Sequence, residues 1–378
     1  MSGLPIAFYA PLKSPDHPAA SGDRTMARLL RAALSRAGFA PVLASETRTL
    51  DVSGDPALQE RLRAACAAEA AALVRRYRSA GERERPRLWF TYHVYYKAPD
   101  WIGPAVADAL GVPYVVAEGS RAAKRAQGPW ALGHRGAEAA LDRADAVLVM
   151  TARDRVALER GRPAGQALLD LPPFLDDDWV RAPCRAARAP PGPGGPALLA
   201  VAMMRPGDKL ASYRLLAAGL HAIQDLPWRL DVVGDGEARG EVERLFAPLS
   251  GRVRFRGEIA DPAALRDLYD GAHLLVWPAV NEAYGMALLE AQARGCPVVA
   301  GAFGGVASVV RDGETGCLTA PGDAEAFAAA IRALIVDPQR RERYGRAARR
   351  FVASERTLDH AADRLRRALL PLVARAAR

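Results

Sequence analysis

Lysine is nearly missing from the chain. Only Lys13, Lys97, Lys124 and Lys209 occur among 52 basic residues, so arginine is the default cation and each lysine draws attention. Cysteine is as scarce. Cys66, Cys184, Cys296 and Cys317 stand far apart, which excludes a disulfide framework and the paired spacing of a metal site. No apolar run approaches the roughly 20 residues of a membrane span, and the first residues carry no signal-peptide pattern. A cytoplasmic, reduced protein is the expectation. Half the residues are hydrophobic and 25% are charged, a globular composition. The 378 residues suit two domains of about 180 each, both large enough for a core.

The net charge is +9 and the pI is near 9.7. Nucleic acid is excluded as a partner, because the arginines spread over every expected helix and no basic–aromatic cluster appears along the sequence. An anionic membrane surface is the better use of the charge, with the protein peripheral at the inner face. The helix expected over Arg24–Arg36 sets Met26, Leu29, Leu30 and Leu34 among Arg24, Arg28, Arg31 and Arg36, as a membrane-seeking helix would. The alternative is that these leucines face a core.

Short apolar runs alternate with helical segments along the chain. Strands are expected at 5–10, 41–44, 88–92, 114–117 and 146–150, with helices at 24–36, 56–80, 101–110 and 131–143. This is a doubly wound α/β domain. The segment RAPCRAARAPPGPGGP is too rich in proline and glycine for a helix or central strand. The organisation expected is therefore a first domain over 1–181, a linker over 182–196, and a second domain over 197–355. A basic helix over 356–378 closes the chain. The second domain repeats the pattern, with strands at 197–203, 229–233, 253–256, 274–277, 298–300 and 316–319.

The richest stretch is HLLVWPAVNEAYGMALLEAQARGCPVVAGAFGG, His273 to Gly305. A strand ends at Pro278, a polar loop follows, and Gly285 and Met286 open an apolar helix that stops at Gly295. The helix start lies at the carboxyl end of a parallel strand, where unpaired N–H groups and the helix dipole favour an anion. Glu282 and Glu290 flank that place. A carboxylate beside an anion site is tolerable when it accepts hydrogen bonds from hydroxyls, which suggests a ligand with both diphosphate and polyol parts. Spacing alone equally fits a buried helix with one satisfied Glu.

The stretch resembles the E-x7-E signature of retaining family 4 glycosyltransferases, with Glu282 and Glu290 as its glutamates. LDVVGDGE, VRFRGEI and LRDLYDGAHLLVWP are similar to the family pattern in the same order. The resemblance is strong from about Leu198 onward and weaker before Pro183. It implies a GT-B fold, two Rossmann-like doubly wound domains facing a cleft. The co-substrate would be a nucleotide-diphosphate sugar, with no other cofactor and no metal. The acceptor would be a glycan or a lipid-linked sugar, in the synthesis of cell-envelope or extracellular polysaccharide or glycolipid.

The resemblance also implies roles. Glu282 would meet the donor sugar and Glu290 the ribose. Arg205 and Lys209, in MMRPGDK, would hold the diphosphate with Gly285 and Met286. Gly234 and Asp235 would edge the donor pocket, and Glu258 and Ile259 would lie by the base. In the first domain Gly22 stands where relatives often have paired glycines. His93 would line the acceptor side, and Glu118 replaces a histidine that many relatives carry. Lys124 and His134 fall in a possible acceptor loop. Asp176, Asp177 and Asp178 read as a solvated acidic turn. Rival readings are a non-catalytic nucleotide-sugar-binding protein and a GT-B phosphorylase or epimerase, although no motif marks a Schiff-base lysine.

Overall fold

The computed structural model describes residues 3–19, 21–183 and 190–376. Inter-residue packing divides the chain into two compact units, Met1–Pro172 with Leu358–Arg378, and Pro173–Thr357.

The first unit holds a six-stranded sheet of β1 (Leu4–Tyr9), β2 (Phe39–Ser45), β3 (Trp89–Val94), β4 (Tyr114–Gly119), β5 (Ala146–Val149) and β6 (Ala167–Asp170). All neighbours pair parallel, in the order β2-β1-β3-β4-β5-β6. Helices α1 (Gly22–Arg36), α2 (Pro56–Ser79), α3 (Gly103–Leu110), α4 (Ala131–Arg143) and α5 (Ala152–Arg160) carry the crossovers. Phe8, Tyr9, Trp89, Phe90 and Tyr114 are fully buried, because a parallel sheet covered on both faces leaves no polar side to its strands. The chain winds outward from β1 to β2, then returns to β3 on the other flank. The carboxyl ends of β1 and β3 thus form a topological switch point, where open α/β sheets place ligands. Helix α5 and strand β6 were not expected from the sequence. The strand is four residues at the sheet edge, half-buried and ending in Asp170, so its apolar signal is faint.

Helix α1 begins where Ser21 Oγ accepts from the Arg24 amide at 3.2 Å. Its apolar stripe does not serve a membrane: Met26, Leu30 and Leu34 are fully buried in the unit's core and Leu29 nearly so. Its arginines are engaged as well. Arg28 Nε donates to the Pro15 carbonyl, Arg31 reaches Asp16, and Arg36 pairs with Asp359. Among the described residues no helix is long and apolar enough to cross a membrane.

The second unit repeats the plan with β7 (Ala197–Val201), β8 (Arg229–Val233), β9 (Val253–Gly257), β10 (Leu274–Trp277), β11 (Val298–Gly301) and β12 (Gly316–Thr319). The parallel order is β12-β11-β10-β7-β8-β9, which puts the switch point between β7 and β10. The helices are α6 (Asp177–Arg181), α7 (Asp208–His221), α8 (Arg239–Phe246), α9 (Pro262–Gly271), α10 (Met286–Ala293), α11 (Ala324–Val336) and α12 (Pro338–Glu355).

The boundary between units falls at Pro172–Pro173, earlier than the expected residue 181. The Leu175 amide donates to the Arg356 carbonyl, and Trp179 packs edge-on against Tyr269. Arg294, paired with Asp270 at 2.7 Å in a buried site, donates to the carbonyls of Ala182 and Pro183. These long-range anchors leave no local sequence signal, and they place residues 173–181 in the second unit instead of the first domain. Residues 184–189 of the expected linker, Cys184 among them, lie outside the described residues. Helix α13 (Leu358–Ala376) belongs to the first unit, where Arg366 donates to the carbonyls of Arg36 and Ala37.

Candidate functional site

In the second unit the loop after β10 is held in an uncommon shape. Ala279 and Asn281 have φ of 57° and 50°, and Gly285 has φ of 75°. Left-handed backbone at non-glycine residues persists only where surroundings over-determine it. Here the Val280 amide donates to Ser212 Oγ, and Asn281 Nδ2 donates to Asp208 at 2.9 Å. The glycine turn after β11 closes the other side. Gly304 has φ of 54°, and a Cβ there would lie 1.9 Å from the Glu282 carbonyl oxygen.

That loop aims Glu282 at the start of α7. Its Oε2 accepts from Lys209 Nζ at 2.5 Å and faces Trp277 Nε1 at 3.4 Å. Lys209 Nζ also sits 5.6 Å from the Trp277 ring centre, and Tyr213 braces that ring edge-on. The acid, the lysine and the indole form one cluster at the carboxyl ends of β7 and β10. Arg205, on the same β7–α7 loop, is exposed and has no side-chain partner among the described residues. Gly285 caps α10; the Leu288 amide turns back to the Gly285 carbonyl at 3.0 Å, and the amides of Met286 and Ala287 have no intrahelical partner.

Glu290 lies one turn along α10 from Met286. Tyr269 Oη donates to it at 2.9 Å. Burial pushes its carboxyl up to about 7, with the Tyr269 bond opposing and the Asp176 charge adding to the rise. Asp176 caps α6 by accepting from the Trp179 amide, so the acidic triplet starts a helix and is not a solvated turn. Among the described residues no group of three His, Cys, Asp or Glu is placed to hold a metal ion.

Gly234 and Gly236 are tied to the β7–α7 loop. A Cβ at Gly234 would lie 1.9 Å from the Ala202 carbonyl oxygen, and the Met204 amide donates to the Asp235 carbonyl. The Asp235 side chain is occupied locally by the Gly236 amide and by Arg239 at 2.7 Å, so it shapes the turn. Glu258 is exposed and Ile259 half-buried, directly after β9, which ends at Gly257 with φ of 68°.

In the first unit His93 and Glu118 close β3 and β4, each with left-handed backbone, φ of 64° and 60°. His93 Nδ1 lies 3.2 Å from Asp23 on α1 and 3.8 Å from Glu118. Burial disfavours the charged imidazole, but Glu118 and Asp23 outweigh it and raise its pKa to about 9. Burial pushes Glu118 up, and His93 opposes that rise. Asp23 stays low: burial is outweighed by the His93 bond and the charges of His93 and Lys13. Gly22 sits beside this group, and a Cβ there would meet nothing within 4 Å. Nothing in the chain itself therefore requires that glycine. Lys124 is exposed and His134 is buried on α4. The sequence reading missed Asp23, Tyr269 and Trp277, whose partnerships join segments far apart in the chain or across a loop.

The two parallel sheets, each with its ligand end at a switch point, are those of the GT-B class. A family model described as "Glycosyl transferases group 1" matches residues 195–337. A D-inositol 3-phosphate glycosyltransferase of Catenulispora acidiphila is 31% identical over 287 residues, covering 69% of this chain and 68% of that protein. The chain belongs to the group 1 glycosyltransferases, of the family 4 type. The chain spans between 65% and 26% of the length of other relatives of that name. Sucrose-phosphate synthase of Thermosynechococcus elongatus superposes with a TM-score of 0.73 at 23% identity, over 98% of this chain and all of that one. HepE of Anabaena, solved with UDP and glucose, gives 0.69 at 16% identity over 96% and 98%. At those identities the likeness shows the fold.

Proposed function

We propose that the protein is a retaining glycosyltransferase that moves a sugar from a nucleotide-diphosphate sugar to an acceptor hydroxyl without a metal. The observation that carries this reading is the Glu282–Lys209–Trp277 cluster beside the start of α10, where the Met286 and Ala287 amides have no intrahelical partner. Lys209 and Arg205 supply cations and α10 supplies amides, where a diphosphate gains charge as its bond to the sugar breaks. Glu282 then shares Lys209 with the diphosphate and turns its remaining oxygen to the sugar hydroxyls. Glu290 takes the ribose, and the backbone at Glu258 and Ile259 lies by the base.

The proposed step is displacement on one face of the sugar, with Glu282 engaged by Lys209 instead of serving as a nucleophile. The anomeric carbon–phosphate oxygen bond breaks, the bond to the acceptor oxygen forms, and the acceptor proton passes to the departing diphosphate. His93 and Glu118 serve the acceptor in the first unit. UDP in the HepE structure supports a nucleotide ligand, and the relatives' name supports a hydroxylated acceptor such as a polyol phosphate. A role in cell-envelope polysaccharide and a place at the inner membrane face are proposals of the same standing. The second rests on net charge alone now that α1 is buried.

A nucleoside diphosphate that binds only the folded state raises stability by about 2.7 kcal/mol at a hundredfold excess over its Kd. A thermal-shift series with UDP, GDP, ADP and dTDP tests the reading. At least one raises Tm in the absence of metal, and Lys209→Met reduces the rise. No response to any of them would defeat it.

A further inference from the structure

Beside His93 the first unit carries a run of rings that the donor chemistry does not use. His93 and Tyr95 lie tilted with centres 4.9 Å apart, Tyr95 meets Tyr96 edge-on at 5.6 Å, and Tyr96 meets Trp130 edge-on at 5.8 Å. Two cations lie on its far end. Lys97 Nζ is 5.4 Å from the Trp130 centre and 5.8 Å from Tyr96, and the Arg125 guanidinium is 4.9 Å and 5.3 Å from the same rings. Neither cation has a carboxylate partner among the described residues, although all four side chains are half-buried. Arg125 Nε is shielded from water and makes no hydrogen bond. Two half-buried cations over the same pair of rings, neither paired with a carboxylate among the described residues, suit an anion.

The platform is rigid before any ligand arrives. Asp51 accepts from the amides of Ser53, Gly54 and Asp55 and from Gln59 Nε2, which also donates to the Pro129 carbonyl. Trp130 Nε1 donates to the Asp51 carbonyl. Arg121, just before Arg125, is held by Glu138 and by Asp142 at 2.6 Å. Charge is graded along the run: Glu118 and Asp23 surround His93 at one end, and Lys97 and Arg125 mark the other.

We propose that this run binds the acceptor, and that the acceptor is a sugar or cyclitol carrying an acid group, phosphate or carboxylate. The apolar face of the sugar ring packs on Trp130, with Tyr96 set perpendicular beside it. The acid group sits between Lys97 and Arg125, and the reacting hydroxyl points to His93 and Glu118. The proposal rests on the glycosyltransferase reading for its purpose, but its binding test does not depend on turnover.

The test follows Trp fluorescence and saturation-transfer NMR of the full chain with glucose 6-phosphate, glucuronate, glucose, glucosamine and inorganic phosphate. Glucose 6-phosphate or glucuronate binds at least about tenfold tighter than glucose, a gap of about 1.4 kcal/mol. Whichever acid wins identifies the group, and inorganic phosphate alone binds more weakly than the phosphorylated sugar. In the K97M/R125M double variant the gap closes, and Trp130→Ala removes saccharide binding. Trp130→Phe restores part of it and guards against misfolding. Nucleoside diphosphate thermal shifts stay unchanged in these variants, which separates this proposal from the donor assignment. Equal binding of acidic and neutral sugars, or a gap that survives the double variant, overturns it.

Discussion

At the scale of residues, Glu290 and His93 carry the clearest consequences. A Glu290 carboxyl raised to about 7 must ionise to accept ribose hydroxyl hydrogens. Nucleotide affinity therefore strengthens from pH 6 to 8, and Glu290→Gln flattens that profile while weakening binding at pH 8. A flat wild-type profile would remove ribose recognition from Glu290. His93 has a folded pKa raised from 6.5 to about 9, so its protonated form stabilises the first unit below pH 6.5. That contribution is lost as pH rises through 9. Denaturant titrations of His93→Gln should show a smaller stability loss over that window than wild type. Lys209→Met should lower kcat about 100- to 1000-fold, as loss of one preorganised charge-stabilising group does. The glutamates were legible in the sequence because a seven-residue spacing survives as text. Their partners were not: Tyr269 reaches Glu290 from α9, and Asp23 reaches His93 from α1. The basic–aromatic cluster was missed for the same reason, since Tyr95, Arg125 and Trp130 meet only through folding.

Among elements, the β10–α10 loop and its glycine neighbour carry the proposed donor site. Gly304→Ala would force both a Cβ onto the Glu282 carbonyl and a left-handed alanine. Strain of this kind is worth about 1–3 kcal/mol. Activity should fall far more than stability, because Glu282 moves first; a variant with full turnover would show the loop is not the positioning element. Alternation of strand and helix made most of this architecture readable. Helix α1 was read the wrong way, since an amphipathic pattern is the same whether the stripe meets lipid or a core. Leu30→Ala should cost about 2–5 kcal/mol of stability, as a fully buried leucine does. Chemical denaturation would show it, with no change in vesicle binding.

For the whole molecule, two sheets are wound around separate switch points, and the proposal places donor chemistry on one and acceptor chemistry on the other. Both sheets were legible in outline, and the division was not, because residues 173–181 read as the end of the first domain yet are pinned to the second unit by Arg294, Tyr269 and Arg356. The central claim is transfer with retention and without metal. It is tested most directly by incubating the enzyme in EDTA with α-linked nucleotide-diphosphate sugars and an acidic sugar acceptor, and reading the anomeric proton of the product by NMR. The account predicts release of nucleoside diphosphate and an α-linked product at an undiminished rate. A β-linked product, or turnover that returns only with added Mg²⁺ or Mn²⁺, would contradict it.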